Sequence, residues 1–163
     1  MKIADSKAFR VREATPSDMA EMIPIVNAAF AVEKFIDGTR TDEEHMSEMM
    51  RKGTFLIAED DAGKIAASVY TELRGDRAYF GMLAVDPSRQ GSGLGRTMIE
   101  AAEEFSRKKR AQFMDILVLS LRPELPELYR KFGYVETGTE AFKPSRPIKP
   151  GVECYAIIMS KPL

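Results

Sequence analysis

Residues Ala78–Arg96, AYFGMLAVDPSRQGSGLGR, hold the punctuation around which the chain is built. An apolar run ends at Val85, and a Pro-containing turn follows at Asp86-Pro87-Ser88-Arg89. Three glycines then stand at alternate positions, Gly91, Gly93 and Gly95. From Leu94 an amphipathic pattern runs to about Lys109. The order strand, turn, glycine-rich loop, helix leaves several backbone N–H groups at a helix N-terminus, where the helix dipole favours an anion.

Outward from this stretch, the helix places Leu94, Met98, Ala101, Ala102 and Phe105 on one side. The opposite side carries Glu103/Arg107 and Glu104/Lys108 at four-residue spacing. Phe113–Leu119 (FMDILVL) is nearly all apolar and reads as a buried strand, parallel to the one before the glycine helix. Pro123–Phe132 reads as a short helix with Leu125, Leu128 and Phe132 inward, closed by Gly133. A strand is expected at Tyr134–Gly138, a proline-rich loop at Ala141–Gly151, and a last strand at Glu153–Ser160.

Upstream, residues 1–8 read as a loose lead-in, and Phe9–Glu13 alternates apolar and charged as a strand does. Thr15-Pro16-Ser17-Asp18 is a helix start, with Met19, Ile23, Val26 and Phe30 on one face and Pro24 expected to kink or divide the helix. The pattern lapses over Ala31–Arg40. Thr41-Asp42-Glu43-Glu44 then fits a capping box with Thr41 as cap, and Gly53 ends that helix. Thr54–Glu59, Ile65–Leu73 and Ala78–Val85, joined by short polar turns, form an antiparallel meander. The fold class expected is α/β of mixed α+β type: one domain over residues 1–163, with a mostly antiparallel mixed sheet of about seven strands flanked by about four helices.

The 163 residues suit one substantial core, and 24 Lys+Arg against 25 Asp+Glu give a net charge of −1, without the basic excess of a nucleic-acid binder. No apolar run approaches the roughly 20 residues of a membrane helix, and the N-terminal residues show no apolar signal core. With its single cysteine, Cys154, the chain is expected to be soluble and cytoplasmic, as monomer or homodimer, with no nucleic-acid or membrane partner. Cys154 reads as strand core, and the single histidine, His45, as exposed in a charged helix. One histidine without cysteine partners supplies no metal-ligand pattern. Met46, Met49 and Met50 read as core filler or as an adaptable cleft wall.

Three nucleotide-type readings of the glycines compete. A P-loop requires Gly-Lys-Ser/Thr, but Gly95 is followed by Arg96 and Thr97. A dinucleotide fingerprint requires Gly-x-Gly-x-x-Gly after the first strand of a βαβ unit, whereas here the spacing is Gly-x-Gly-x-Gly after a meander. The third reading is Gln90-x-x-Gly93-x-Gly95. With it the chain resembles the GNAT superfamily of N-acetyltransferases, whose pyrophosphate signature is Gln/Arg-x-x-Gly-x-Gly/Ala between a strand and a helix. Met82-Leu83-Ala84-Val85-Asp86-Pro87 resembles that family's cofactor strand. Leu128-Tyr129-Arg130-Lys131-Phe132-Gly133-Tyr134 resembles its LYxKxGF segment, and Ile158–Leu163 its common ending.

The resemblance implies acetyl-CoA as co-substrate, no metal, and direct transfer of the acetyl group to a primary amine of a small-molecule or peptide acceptor. The pyrophosphate would rest on the N–H groups of Gly91, Ser92, Gly93, Leu94, Gly95 and Arg96, next to Gln90. By resemblance, the pantetheine arm would pair with the backbone of Leu83, Ala84 and Val85. A backbone N–H of that stretch would serve as oxyanion donor, and Tyr129 would protonate the leaving thiolate. The glutamate base that some members of the family use near the start of the cofactor strand falls on Tyr79 here, which leaves Glu33, Glu72 or a water chain for that role. The acceptor is expected to enter beside the Ala31–Arg40 loop. The missing glutamate keeps a rival in view, a non-catalytic acyl-CoA-binding sensor or interaction module on the same fold.

Overall fold

The computed structural model describes residues 5–6, 9–142 and 146–163. The three central strands, β3 (Thr54–Glu59), β4 (Ile65–Arg74) and β5 (Arg77–Val85), form the expected antiparallel meander. They sit in one eight-stranded sheet of order β1-β2-β3-β4-β5-β6-β8-β7. The remaining strands are β1 (Asp5–Ser6), β2 (Phe9–Glu13), β6 (Phe113–Leu119), β7 (Val135–Ala141) and β8 (Tyr155–Pro162). All described pairings are antiparallel except β5 with β6, which is parallel as the apolar run predicts. The extra strand beyond the expected seven is Asp5–Ser6, which pairs with Phe9–Arg10. The rest of the 1–8 lead-in lies outside the described residues, as does part of the proline-rich loop.

Four α-helices are present among the described residues: α1 (Met19–Ala29), α2 (Glu43–Lys52), α3 (Leu94–Lys108) and α4 (Glu124–Lys131). None is long and apolar enough to cross a membrane. Pro24 does not divide α1, which runs unbroken around it. The cap of α2 is Asp42, not Thr41: its carboxylate accepts from His45 N at 2.8 Å. Thr41 is turned aside, and its hydroxyl meets His45 Nδ1 at 2.8 Å. Leu128 is exposed, and Tyr129 takes the inward place on α4. Cys154 precedes β8 rather than lying in the core, with Sγ 3.7 Å from Ser120 Oγ.

Each face of the sheet has its own core. Leu56, Ala58, Ala78 and Phe80 pack with Met98, Ala102 and Phe105 of α3 and with Tyr129. Phe55, Ile57 and Tyr70 pack with Met22 and Val26 of α1 and Met46 of α2. Along β5 the alternation reverses: Ala78 and Phe80 join the α3 side, but Met82 and Ala84 join the α1 side. The cause is a β-bulge. Tyr70 pairs with Gly81 and Ser68 with Ala84, so Met82 and Leu83 together oppose Val69. One inserted residue inverts every later side chain, and Met82 takes a left-handed φ of 53° there.

Glu103 departs from the surface pairing its spacing predicts. It is buried, accepting from Tyr134 Oη at 2.7 Å and from Lys161 Nζ at 3.1 Å. Arg107 pairs with Glu104 instead.

Candidate active site

β5 and β6 pair only at their starts, through Arg77↔Phe113, Ala78↔Met114 and Tyr79↔Asp115. Arg77 locks that end, with two nitrogens each 2.7 Å from the Asp115 carboxylate. Beyond Tyr79 the strands part, and a cleft of about 860 Å³ opens, lined by residues of both. Along Phe80–Val85 the β6-facing edge of β5 has no paired strand among the described residues. Leu83, Ala84 and Val85 therefore present main-chain groups in the manner of a sheet edge, which an amide-bearing chain can extend.

At the end of β5 a turn at Pro87–Arg89 leads into the glycine loop, with Gln90 extended and exposed. The loop is pinned from below: Asp86 N donates to Ala66 O at 2.8 Å, and Arg89 Nη2 lies 2.5 Å from Asp60. Ser92 Oγ donates to Arg89 O at 2.6 Å. Gly91 and Gly93 have φ of 87° and 81°, the left-handed region that glycine occupies without strain. The first intrahelical bond of α3 runs from Thr97 N to Gly93 O, so the amides of Leu94, Gly95 and Arg96 have no acceptor within the helix. The Leu94 side chain is buried in the core, and the Arg96 side chain pairs with Glu100 on the surface at 2.9 Å. Only their backbone amides are therefore left for a ligand at the loop.

Gly95 tests the fit of a ligand here. It is helical, and a Cβ added to it would meet no protein atom within 4 Å. Neither backbone nor packing demands glycine, which costs helix stability. The space above it is open to a bound group, and an anion of pyrophosphate size would suit the three amides and the dipole.

Tyr129 lines the cleft from α4, packed against Phe80 and Tyr134 at ring distances of 6.1 and 6.0 Å. Burial pushes its phenol up to about 12, opposed by the charge of Arg122. It is a proton holder across the neutral range.

The other half of the cleft is lined by groups from the α1–α2 connection and from β4, β5 and β7. Glu33 is buried and bonded to Arg122 Nη1 at 2.7 Å, and both residues line the cleft. Glu72 accepts from Tyr70 Oη at 2.8 Å and Arg74 Nε at 3.0 Å. Partial burial opposes its ionisation, but these two bonds prevail and hold it below the usual carboxylate range. Tyr79 lies beside it, its phenol pushed up by burial and thus neutral.

His45, expected to be exposed, lines the cleft. Burial and the charges of Arg40 and Arg146 lower its pKa. Arg40, Arg146 and Glu140 also line it. None of these carries a local sequence signal, because connecting segments far apart in the chain bring them together.

Residues 19–144 match the family model described as an acetyltransferase (GNAT) domain. The mycothiol acetyltransferase of Propionibacterium freudenreichii subsp. shermanii is 22% identical over 152 residues, covering 88% of this chain and 48% of that protein. The chain thus spans about half the length of the curated relative it matches. Among solved structures, the ribosomal-protein-S18-alanine N-acetyltransferase from Escherichia coli superposes with a TM-score of 0.74 at 21% identity, covering 94% of this chain and 93% of that one. A phosphinothricin acetyltransferase from Sinorhizobium meliloti, in complex with AcCoA, gives 0.74 at 16% identity, covering 96% and 89%. At these identities the likeness is one of fold. The family match spans most of the sequence, and the chain belongs to the GNAT acetyltransferase family.

Proposed function

We propose that the chain is an acetyl-CoA-dependent N-acetyltransferase that moves an acetyl group directly to a primary amine, with Tyr129 as general acid. The observation that carries the reading is the glycine loop, built with open space above Gly91, Gly93 and Gly95, at the end of the strand whose edge lines the cleft. The relatives act on different acceptors by their names, a ribosomal-protein alanine and phosphinothricin among them, so likeness alone does not choose one.

When bound, acetyl-CoA supplies a thioester carbonyl open to attack by an amine. The amides of Leu94, Gly95 and Arg96 hold the pyrophosphate, and the open edge at Leu83–Val85 orients the pantetheine amides. A backbone N–H of Leu83–Val85, just past the bulge, would serve the developing oxyanion. Tyr129 keeps its proton at neutral pH and gives it to the leaving sulfur. Glu72, ionised, attracts the acceptor ammonium. Glu33 and Glu72 are both engaged by arginines, so the amine proton passes to water in the open cleft.

Calorimetric titration with acetyl-CoA tests the donor half; folded protein without measurable affinity overturns the proposal. Turnover with a panel of amines, read as free thiol, separates it from a non-catalytic acyl-CoA-binding module, which binds but releases no thiol.

A further inference from the structure

Where β5 and β6 begin to part, four residues of two strands share one face of the sheet. Tyr70 pairs with Gly81 and Glu72 with Tyr79, and cross-strand partners point the same way. All four line the cleft, as do Met82 and Leu83, the next residues along β5. Two of these side chains are committed to each other. Tyr70 Oη donates to one Glu72 oxygen at 2.8 Å, and Arg74 Nε donates to the other at 3.0 Å. Tyr79 is not so engaged: among the described residues its hydroxyl makes no hydrogen bond.

The free hydroxyl is nevertheless held in place. The Arg74 guanidinium lies 4.4 Å over the ring, and the Tyr70 ring meets it edge-on at 6.5 Å. The hydroxyl itself rests over Gly81, where a Cβ would stand 2.2 Å from it. Gly81 is not among the glycines with a left-handed φ, so its backbone would admit another residue, but a side chain there would strike the phenol. The bare Cα lets the hydroxyl reach along β5 to the residue just before the bulge at Met82–Leu83.

We infer that this hydroxyl is the contact for the attacking nitrogen: the Tyr79 oxygen accepts one N–H of the acceptor amine and leaves the nitrogen lone pair free. The inference rests on the acetyl-transfer reading above, which sets the thioester beside Leu83–Val85 on the same strand. A neutral primary amine has two hydrogens and one lone pair, so only a hydrogen-bond acceptor holds it without blocking attack. Burial raises the phenol's pKa, so Tyr79 keeps its own proton and does not take the amine's. No bond forms at Tyr79. The nitrogen bonds to the acetyl carbon, the sulfur leaves with the electron pair of the broken C–S bond and takes the Tyr129 proton, and the proton shed by the nitrogen goes to water. Glu72, directly across from Tyr79, stands where its charge draws the ammonium form to this contact.

The experiment is Tyr79→Phe, which removes the oxygen and keeps the ring, its Arg74 contact and the space over Gly81. Parent and variant are compared with acetyl-CoA and four primary amines: hexylamine, phenethylamine, glycinamide and trialanine. For the amine that the parent turns over best, kcat/KM is expected to fall about 10- to 100-fold in the variant. Its acetyl-CoA Kd by calorimetry and its Tm are expected to match the parent's. A kcat/KM within twofold of the parent's overturns the inference. A fall in acetyl-CoA affinity as large as the fall in kcat/KM also overturns it, by putting the hydroxyl on the donor. A fall in kcat/KM with a lowered Tm overturns it in favour of a packing role. Acetyl-CoA binding by the parent without turnover of any amine overturns it and leaves the donor site standing; a folded parent that does not bind acetyl-CoA removes both.

Discussion

The Tyr79 hydroxyl lies so close over Gly81 that a Cβ at residue 81 would stand 2.2 Å from it. Both residues face the same side of β5, two positions apart. The ring is hemmed in by Arg74, 4.4 Å over its face, and by Tyr70 at 6.5 Å. Gly81→Ala therefore pushes the phenol out of its place beside the bulge. We expect a KM for the acceptor raised about 10-fold and a cost of about 1–3 kcal/mol. Tyr79→Ala should add little further loss in the Gly81→Ala background, because both changes remove the same contact. Strict additivity in that double-mutant cycle would mean that the two residues act independently.

Gly95→Ala should move stability and affinity in opposite directions. The added methyl meets open space in a helical backbone, so the ligand-free protein gains about 0.5 kcal/mol and roughly 1–2 °C in Tm. On the proposed pyrophosphate site the same methyl would stand in the path of the anion, and the acetyl-CoA Kd should rise about 10-fold or more. A Tm gain with unchanged Kd would place the pyrophosphate elsewhere.

Arg89→Met should weaken acetyl-CoA binding without touching the ligand. Arg89 clamps the glycine loop to Asp60 in the β3–β4 turn and lies 5.6 Å over Phe9. We expect a Kd raised about 3- to 10-fold by calorimetry, with kcat unchanged at saturation. The bond to Arg89 holds the Asp60 carboxyl below its ordinary range. The clamp is therefore intact above about pH 4, and acid weakens binding only as pH falls through the lowered pKa.

Lys161→Met tests the buried network on α3. Removing one partner of a buried ion pair costs about 3–5 kcal/mol. The Lys161 side chain keeps 26% exposure, which reduces the expectation to about 2 kcal/mol, or about 4–8 °C in Tm. Tyr134→Phe should cost about 1–2 kcal/mol by leaving the Glu103 carboxylate a donor short. An unchanged Tm in both would show that the network does not stabilise the fold.

Much of this architecture is written in local pattern. The α3 face from Leu94 to Phe105 buries one continuous surface, and the mostly apolar run Phe113–Leu119, broken only by Asp115, buries Met114, Ile116 and Val118; local pattern reports both elements directly. What periodicity misses are places where distant segments decide. Glu103 reads as a surface residue because the helix wheel does not know that β8 delivers Lys161 over it. Tyr129, not Leu128, turns inward because the aromatic ring fills space between Phe80 and Tyr134. The bulge at Met82 hides inside AYFGMLAV, where every residue is apolar and no polar residue marks the reversal. Arg40 and Arg146, 106 positions apart, meet only through the closing of two connecting loops.

Tyr129→Phe separates chemistry from binding. The phenol makes no charge at neutral pH and its ring remains packed in the variant, so the fold and the acetyl-CoA Kd should hold within about threefold. Loss of the proton should lower kcat by about 100-fold or more. With Tyr129 as the proposed general acid, the same group would set the alkaline limb of kcat in the parent protein. A free tyrosine deprotonates near pH 10. Burial moves Tyr129 to about 12, so activity should persist above pH 10 and fall only as the phenol ionises. The sign follows from the role: an acid is competent below its pKa, and raising that pKa widens the active range upward. A kcat profile that falls near pH 10 would point to a different, exposed acid, and an unchanged kcat in Tyr129→Phe would remove this residue from the reaction.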